Sequence, residues 1–297
     1  MKEPMRASFE SVFPDLSHRA LRALPPAMHG KARLARLMLG RNLERKDVWV
    51  EDSFGIRYVV PSLKESIAFH LLIDGVYEPV TMRFLRQYLK PDSIFLDIGA
   101  NIGVFALPLS KVVGPQGRVI AVEASPTILP YLQKNRDAND CANVCVKPYA
   151  AYESDKELAF YEAPSSAFGM GALAPRFNAP AVSVPGRTID GILAEEGLSS
   201  VDVVKIDAEG FEASVFRGAK KMLSGPRAPL IVFEFNETLE APEPGGSADN
   251  SQRLLSDQGY AIWRVANFMK GGKPLKKAIT GGLEMLVASK VRAGHER

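Results

Sequence analysis

The stretch FLDIGANIGVFA, residues 95–106, decides the fold of this chain. It begins with a short continuous apolar run, which is typical of a strand buried on both faces of a parallel sheet. It then turns at Gly99 and Gly103, and glycines permit both a tight turn and a close approach of the backbone to a ligand. A buried strand that leads through a glycine turn into a helix indicates an α/β fold. In such a fold the ligand crevice lies at the carboxyl ends of the strands.

Further apolar runs on either side of this stretch extend the same pattern. RVIAV, VDVVKID and PLIVFEF are continuous enough for strands buried on both faces, and most of the segments between them are amphipathic. The predicted strands are residues 93–98, 118–123, 144–151, 158–162, 201–207 and 229–235. Strands that alternate with helices predict a doubly wound, Rossmann-like α/β sheet. Residues 260–265 and 283–288 predict a terminal antiparallel pair whose Gly- and Lys-rich connection contains no evident helix.

The chain divides by composition into an extension, a lead-in and a core. Residues 163–186 are dense in Ala, Pro, Gly and Ser, which predicts a long loop that is either a lid or a disordered insert. The predicted parts are a basic, helical N-terminal extension over 1–46, a β-hairpin and lead-in helix over 47–90, the core with its long loop over 91–291, and a basic tail over 292–297.

Composition excludes several classes of protein. The 297 residues are 46% hydrophobic and 24% charged, which is typical of a soluble globular chain. No window reaches the roughly 18 apolar residues that a membrane-spanning helix needs. The first residues lack the apolar core of a signal peptide, so we expect a cytoplasmic protein. Two cysteines and four histidines show no zinc-binding spacing.

Positive charge is concentrated at the two ends of the chain. Residues 1–46 contain 10 Lys or Arg against four acids, and residues 264–297 contain eight against two. The segment LARLMLGRNL, residues 34–43, predicts a basic amphipathic helix. It either packs on the body or a partner, or contacts an anionic membrane surface. No nucleic-acid partner is expected, and the oligomeric state stays open.

The residues that end the first two strands indicate the ligand. The glycines at 99 and 103 form G-x-x-x-G, which is neither the dinucleotide fingerprint nor a P-loop. Asp97 faces this glycine turn, where its charge disfavours a pyrophosphate and favours an ammonium group. Glu123 follows Gly103 by 20 residues, the spacing at which an acid reaches ribose hydroxyls. A ligand with a ribose, a cationic amino-acid end and no pyrophosphate is S-adenosylmethionine.

With these motifs the sequence resembles the FkbM family of S-adenosylmethionine-dependent methyltransferases over residues 75–288. The resemblance lies in GVYE (75–78), FLDIGANIGVFAL, VIAVEASP, TID (188–190), VDVVKIDAEGFE and FEFN. It implies the class I methyltransferase fold, with about seven strands of which the last is antiparallel. It also implies a transferase of the EC 2.1.1 type that usually methylates a hydroxyl oxygen.

The resemblance also assigns cofactor positions. Those that match the family motifs are Asp97, Gly99, Asn101, Gly103, Glu123, Ser125 and, more loosely, Ala150. Tyr77 and Glu78 look like the pair that closes over the methionine part of the cofactor. The basic segment 1–46 lies outside the family pattern.

The candidate catalytic residues follow the fourth and fifth parallel strands. Asp207 and Glu209 are expected to orient or activate the acceptor, and Glu234 should lie at the end of the adjacent strand. Asp207, Glu234 and Asn236 could hold a divalent ion such as magnesium, whereas binding of the acceptor hydroxyls by the acids themselves is the simpler account. Lys205 is expected to form a structural ion pair within its strand.

Three functions stay open at this point. We expect O-methylation of a hydroxyl on a small molecule or sugar-like acceptor by in-line transfer. The alternatives are N-methylation of an amine or a macromolecule, and a cofactor-binding module without turnover.

Overall fold

The computed structural model describes residues 20–25, 28, 30–239 and 250–290. The helices are α1 (Lys31–Leu39), α2 (Ser66–Asp74), α3 (Pro79–Tyr88), α4 (Ala106–Val113), α5 (Leu129–Ala138), α6 (Ile189–Glu195), α7 (Glu212–Arg217), α8 (Lys220–Ser224), α9 (Asn250–Asp257) and α10 (Val265–Met269). The strands are β1 (Val48–Glu51), β2 (Arg57–Val60), β3 (Ile94–Ile98), β4 (Arg118–Val122), β5 (Val144–Lys147), β6 (Ala150–Ala151), β7 (Lys156–Tyr161), β8 (Ala181–Arg187), β9 (Val203–Ile206), β10 (Leu230–Asn236), β11 (Ala261–Arg264) and β12 (Leu283–Ser289). Two 3-10 helices cover Gly40–Glu44 and Ser165–Met170.

A seven-stranded sheet forms the centre of the molecule, in the order β11-β12-β10-β9-β3-β4-β5. Strands β10, β9, β3, β4 and β5 pair in parallel, whereas β12 is antiparallel to both of its neighbours. The last strand is therefore inserted antiparallel beside β10. This topology confirms the predicted doubly wound sheet with an antiparallel last strand.

Both faces of the sheet are buried, as the continuous apolar strands predict. Phe95 and Val203 face one apolar cluster, which includes residues of α3 and α4. Leu96 and Val204 face a second cluster, which includes residues of α6, α7 and α8. The alternation follows the two-residue period of a strand, so one sheet separates two helical layers.

Three predicted elements differ from the structure. The strand predicted over 144–151 is broken at Pro148, which has no backbone N–H to continue the ladder, so that β6 joins another sheet. That second sheet has the order β6-β8-β7, and β8 occupies the end of the loop predicted over 163–186. The connection after β11 contains the short helix α10, which Phe268 anchors by packing on Trp263.

The N-terminal elements pack against this core. Strands β1 and β2 form the predicted hairpin, and the Asp52 carboxylate holds its turn by accepting hydrogen bonds from the amides of Phe54 and Ile56 at 2.8 and 2.9 Å. Helix α1 is held by a buried ion pair of 2.7 Å between Lys31 and Asp74. The rest of the predicted extension, residues 1–19, and the predicted tail 292–297 lie outside the described residues.

Among the described residues, no helix is both long and apolar enough to span a bilayer.

Candidate functional site

A cavity of about 240 Å³ opens at the carboxyl ends of the parallel strands. Residues at or just after the ends of β3, β4 and β9, together with Glu234 of β10, form its floor, and the start of α2 with the loop between β7 and β8 forms its roof. The cavity is lined by nine of the residues predicted from the sequence: Tyr77, Gly99, Asn101, Glu123, Ser125, Ala150, Asp207, Glu209 and Glu234. Four others lie outside this lining: Glu78, Asp97, Gly103 and Asn236.

The turn after β3 is shaped by its glycines. Gly99 has a φ of 73°, and a Cβ there would lie 2.0 Å from the backbone oxygen of Asp207. Only glycine allows the turn after β3 and the segment after β9 to approach this closely. Gly103 has a different use, since its Cβ would lie 2.8 Å from the Leu107 side chain of α4. It therefore fits the helix against the turn.

Glu123 closes the turn from the end of β4. Its two carboxylate oxygens accept hydrogen bonds from the backbone amides of Asn101 and Ser125, each at 2.8 Å. Burial raises the pKa of Glu123 to about 7, although these amide hydrogen bonds oppose the rise. Each carboxylate oxygen can accept a second hydrogen bond, so the group is oriented toward the cavity with acceptor capacity left for a pair of hydroxyls.

Ser125 also connects the turn to the second sheet. Its hydroxyl donates to the carboxylate of Glu162 at 2.7 Å, and the other oxygen of Glu162 accepts from the Thr127 amide at 3.1 Å. Glu162 follows β7 directly, which ties the start of the roof loop to the end of β4.

Asp97 and Lys205 form a buried charged pair beneath the cavity. The Asp97 side chain is completely buried, and its nearest cation is the Lys205 ammonium, 4.0 Å from Oδ1. Neither carboxylate oxygen makes a full hydrogen bond with the described residues, the amide of Ala106 being only a weaker contact. Burial raises the pKa of Asp97 to about 6 against the opposing effect of Lys205. This is an acceptor group that a cationic ligand would satisfy.

Lys205 contacts groups at both ends of the cavity. Its Nζ lies 3.2 Å from Oδ2 of Asp207 and 4.9 Å from the centre of the Phe105 ring. Burial by itself lowers the pKa of Lys205, but the charges of Asp207, Asp97 and Glu78 outweigh it and raise that pKa overall. The structural ion pair predicted for this lysine is confirmed.

Tyr77 and Glu78 lie between α2 and α3. The Tyr77 ring lines the cavity and packs edge-on against Phe105, with centroids 6.3 Å apart. Glu78 has a φ of 43°, and its Oε2 is buried without a hydrogen-bond partner among the described residues. Burial raises the pKa of Glu78, while Lys205 opposes the rise. A positive φ and an unsatisfied buried oxygen are features that cluster at functional sites, which agrees with the role predicted for Glu78 without testing it.

Three carboxylates meet at the other end of the cavity. Asp207 and Glu234 follow paired positions of β9 and β10, so the expected neighbouring strand ends are observed. Burial, with Asp207 and Glu209 nearby, raises the pKa of Glu234 to about 9. Glu209 has a φ of 53° and forms an ion pair with Arg176, which also donates to the Glu209 carbonyl. Since Arg176 belongs to the roof loop, this pair fastens the roof to the floor.

The carboxylate cluster of the structure differs from the predicted metal-binding set in one residue, because Glu212 takes the place of Asn236. Carboxylate oxygens of Asp207, Glu212 and Glu234 lie within 4.8 Å of one another. Asn236 uses its Oδ1 to accept from the Thr238 amide and hydroxyl at 3.2 and 2.8 Å, and it lies outside the cavity lining. Oε1 of Glu212 accepts from the Ala208 amide at 2.8 Å, which is the role of an acid at a helix start. The Ala208 amide therefore stabilises part of the negative charge of the carboxylate cluster.

Glu65 is the principal lining residue that sequence reasoning missed. Its Oε2 caps α2 by accepting from the Ile67 amide at 2.5 Å and the Ala68 amide at 3.3 Å. Burial raises the pKa of Glu65 to about 7. A glutamate before a helix is an ordinary capping signal, and only the packing of α2 over the cavity brings it to the site. Phe168, Gly169 and Met170 lie in the loop for which a lid was one of the two predictions, although no sequence signal singled them out.

Comparisons with known proteins place the chain in a family. Residues 97–262 match the family described as the methyltransferase FkbM domain. The chain is 25% identical to the 2-O-methyltransferase NoeI of Sinorhizobium fredii, over 72% of this chain and 93% of that protein. It is 24% identical to the hexuronic acid methyltransferase AglP of Haloferax volcanii, over 72% and 87%. A solved fibrillarin from Aeropyrum pernix with natively bound S-adenosyl-L-methionine shares 16% identity over 75% of this chain and 71% of its own, with a TM-score of 0.39.

Proposed function

Because this chain belongs to the FkbM family and is an S-adenosylmethionine-dependent methyltransferase, we propose that it methylates a hydroxyl oxygen of a small, sugar-like acceptor. The observation that carries the proposal is the cluster of Asp207, Glu209 and Glu234 at one end of the cavity. Carboxylates accept hydrogen bonds, and a polyhydroxylated molecule offers donors in several directions. The name of the relative NoeI specifies O-methylation and that of AglP a hexuronic acid acceptor, and the two together support this proposal.

The donor end fits a cation that also carries a ribose. Asp97 and Glu78 have buried carboxylate oxygens that find no hydrogen-bond partner in the described part of the chain, and a cationic group supplies their missing counter-charge. Glu123 is held by two backbone amides with acceptor capacity for two hydroxyls. S-adenosylmethionine supplies a methyl group on a sulfonium. When the methyl group is transferred, the sulfur leaves as a neutral thioether without help from an acid. The protein therefore has to align the acceptor and remove its proton.

Asp207 is proposed as the group that takes the acceptor proton. The hydroxyl donates to the Asp207 carboxylate and passes its proton there as the oxygen gains the methyl group. Lys205, 3.2 Å away, keeps this carboxylate oriented. Glu234 is protonated at neutral pH because its pKa is raised to about 9 by burial, so it can donate to a neighbouring acceptor oxygen. The Arg176 contact with Glu209 keeps the roof over the acceptor and excludes water.

In the proposed mechanism the acids bind the acceptor directly, and no divalent ion is needed. The carboxylates of Asp207, Glu212 and Glu234 are close enough to bind one divalent ion together. Metal removal therefore distinguishes direct binding of the acceptor from binding through an ion. We expect dialysis against a chelator to leave the rate unchanged and elemental analysis to find no stoichiometric metal. A loss of rate that added magnesium restores would assign these acids to an ion instead.

The acceptor class is tested with the purified full chain. S-adenosylmethionine is mixed with neutral sugars, uronic acids, hydroxy acids and primary amines, and mass spectrometry and NMR locate the methyl group. We expect methyl ethers of hydroxylated compounds, with Asp207→Asn at least about a hundredfold slower than the parent. Glu157→Gln, an exposed acid of β7, serves as the control. Methylated amines would favour the N-methyltransferase alternative, and an undiminished rate in Asp207→Asn would overturn the proposed base.

A further inference from the structure

Helix α1 exposes an apolar stripe to solvent. Leu34, Leu37 and Met38 are 41%, 81% and 46% exposed. Their spacing of three and four residues places them on one side of the helix. Most large apolar side chains of the described residues are buried, so three exposed ones on a nine-residue helix form an unusual concentration.

A neighbouring side of α1 fixes the helix to the body. Lys31, Ala35 and Leu39 are buried, and the Lys31 ammonium binds the Asp74 carboxylate at 2.7 Å. The guanidinium of Arg36 lies 4.9 Å from the centre of the Phe69 ring of α2. Both contacts hold α1 along α2, so the apolar stripe cannot turn inward without breaking a buried ion pair.

Basic residues border the stripe. Arg33 lies four residues before Leu37 on the exposed surface, and Arg41, in the 3-10 helix, lies four residues after it. Lys46 is also exposed and follows this 3-10 helix. A rigid helix with apolar side chains between arginines has the composition of a segment that lies in the interface of an anionic bilayer. Each basic residue near such a surface adds to the attraction.

We propose that this face of α1, comprising Leu34, Leu37 and Met38 with Arg33 and Arg41, docks on an anionic lipid bilayer. A second copy of the chain fits the face poorly. A twofold contact would place the same arginines against each other, and three apolar side chains bury far less than the roughly 800 Å² per partner of a stable interface. A bilayer accepts both the apolar and the basic groups.

The docking face lies next to the wall of the cavity. Glu44, at the end of the 3-10 helix after α1, forms an ion pair of 2.7 Å with Lys64. The next residues, Glu65, Ser66 and Ile67, line the cavity. The segment that follows α1 is thereby connected to the residues that lead into this wall. The binding proposal itself does not depend on which acceptor is methylated.

Flotation of the full-length protein with vesicles tests the proposal. Vesicles of phosphatidylcholine with about one third phosphatidylglycerol are compared with pure phosphatidylcholine at physiological salt. We expect flotation with the anionic vesicles and a partition coefficient reduced about tenfold or more in the double variant Leu34→Ser, Leu37→Ser. Leu283→Ser removes a leucine that is 62% exposed on another part of the surface and should float like the parent.

Other outcomes would overturn the assignment. Equal flotation of the parent and of the double variant would show that α1 is not the docking face. Absence of flotation with anionic vesicles, at a salt concentration where the chain is monomeric by ultracentrifugation, would exclude the bilayer. A dimer that the double variant abolishes would assign the face to a second copy. Thermal melting of each variant separates loss of docking from loss of the fold.

Discussion

Replacing Asp97 by asparagine should change stability and cofactor binding in opposite directions. The Asp97 carboxylate is completely buried, with Lys205 at 4.0 Å as its nearest cation and no full hydrogen bond from the described residues. Asparagine keeps the size of the side chain but has no charge. The substitution therefore isolates the effect of burying that charge without the ligand.

The size of the effect follows from the pKa. Burial raises the pKa of Asp97 from 3.8 to about 6, so the folded chain binds this proton more tightly than the unfolded chain does. The stabilisation is fully present below about pH 4 and is lost as the pH rises through about 6. Two pKa units correspond to about 3 kcal/mol. Relative to the parent, Asp97→Asn should gain about this much free energy of unfolding between pH 4 and pH 7.5.

Thermal melting across this pH range measures the gain, and calorimetry measures binding. The difference in melting temperature between variant and parent should grow by roughly 6 °C from pH 4 to pH 7.5. At pH 7.5 the variant should bind S-adenosylmethionine at least about tenfold more weakly, because a cationic group loses its buried counter-charge. Glu157→Gln should show neither effect. Parallel melting curves, or an unchanged affinity in Asp97→Asn, would refute this reasoning.

Three further changes test other parts of the site. Gly99→Ala places a Cβ 2.0 Å from the Asp207 carbonyl and should lower the free energy of unfolding by about 3 kcal/mol in urea titrations. Gly197→Ala is the control, because Gly197 has a similar φ of 68° but lies in open space, and it should lower the free energy of unfolding by about 1 kcal/mol. Arg176→Ala removes the contacts that fasten the roof loop, so proteolysis between residues 162 and 180 should accelerate and the acceptor KM should rise about tenfold with kcat nearly constant. The pKa of Glu234, raised by burial to about 9, predicts that kcat/KM falls above pH 9, and Glu234→Gln should remove this alkaline decline from the pH profile.

The central sheet was predictable because its strands are determined locally. Runs such as residues 118–122 and 230–233 are almost entirely apolar, and Gly99 fixes where the first parallel strand ends. The second sheet lacks this signal. β8 is a short run of mostly small residues with Pro185 and Gly186 in it, and it forms a strand by pairing with β7 across the roof loop. The short helix α10 is stabilised by aromatic packing of Phe268 on Trp263 and Phe84, which no local propensity encodes.

The same distinction separates the predicted from the unpredicted site residues. Asp97, Glu123 and Asp207 lie at or just beyond strand ends, so spacing along the chain reveals which edge of the sheet they share. Glu65 lies some 30 residues before the first parallel strand and reaches the cavity only because α2 packs above it. Arg176 lies in the loop between β7 and β8, where composition indicates mobility but not the contact with Glu209.

Lys205 makes the two ends of the cavity electrostatically dependent on each other. Its ammonium is shared between Asp207, at the acceptor end, and Asp97, beneath the donor end, and Glu78 also contributes to its raised pKa. At an effective dielectric constant of 20, two unit charges 4 Å apart interact by about 4 kcal/mol. A bound cation that neutralises the carboxylates of Asp97 and Glu78 therefore reduces the negative charge that Lys205 has to balance. With the donor bound, Lys205 would be left to Asp207. The proposed role of Asp207 as acceptor of the hydroxyl proton therefore predicts that this carboxylate is oriented best when the methyl donor is in place.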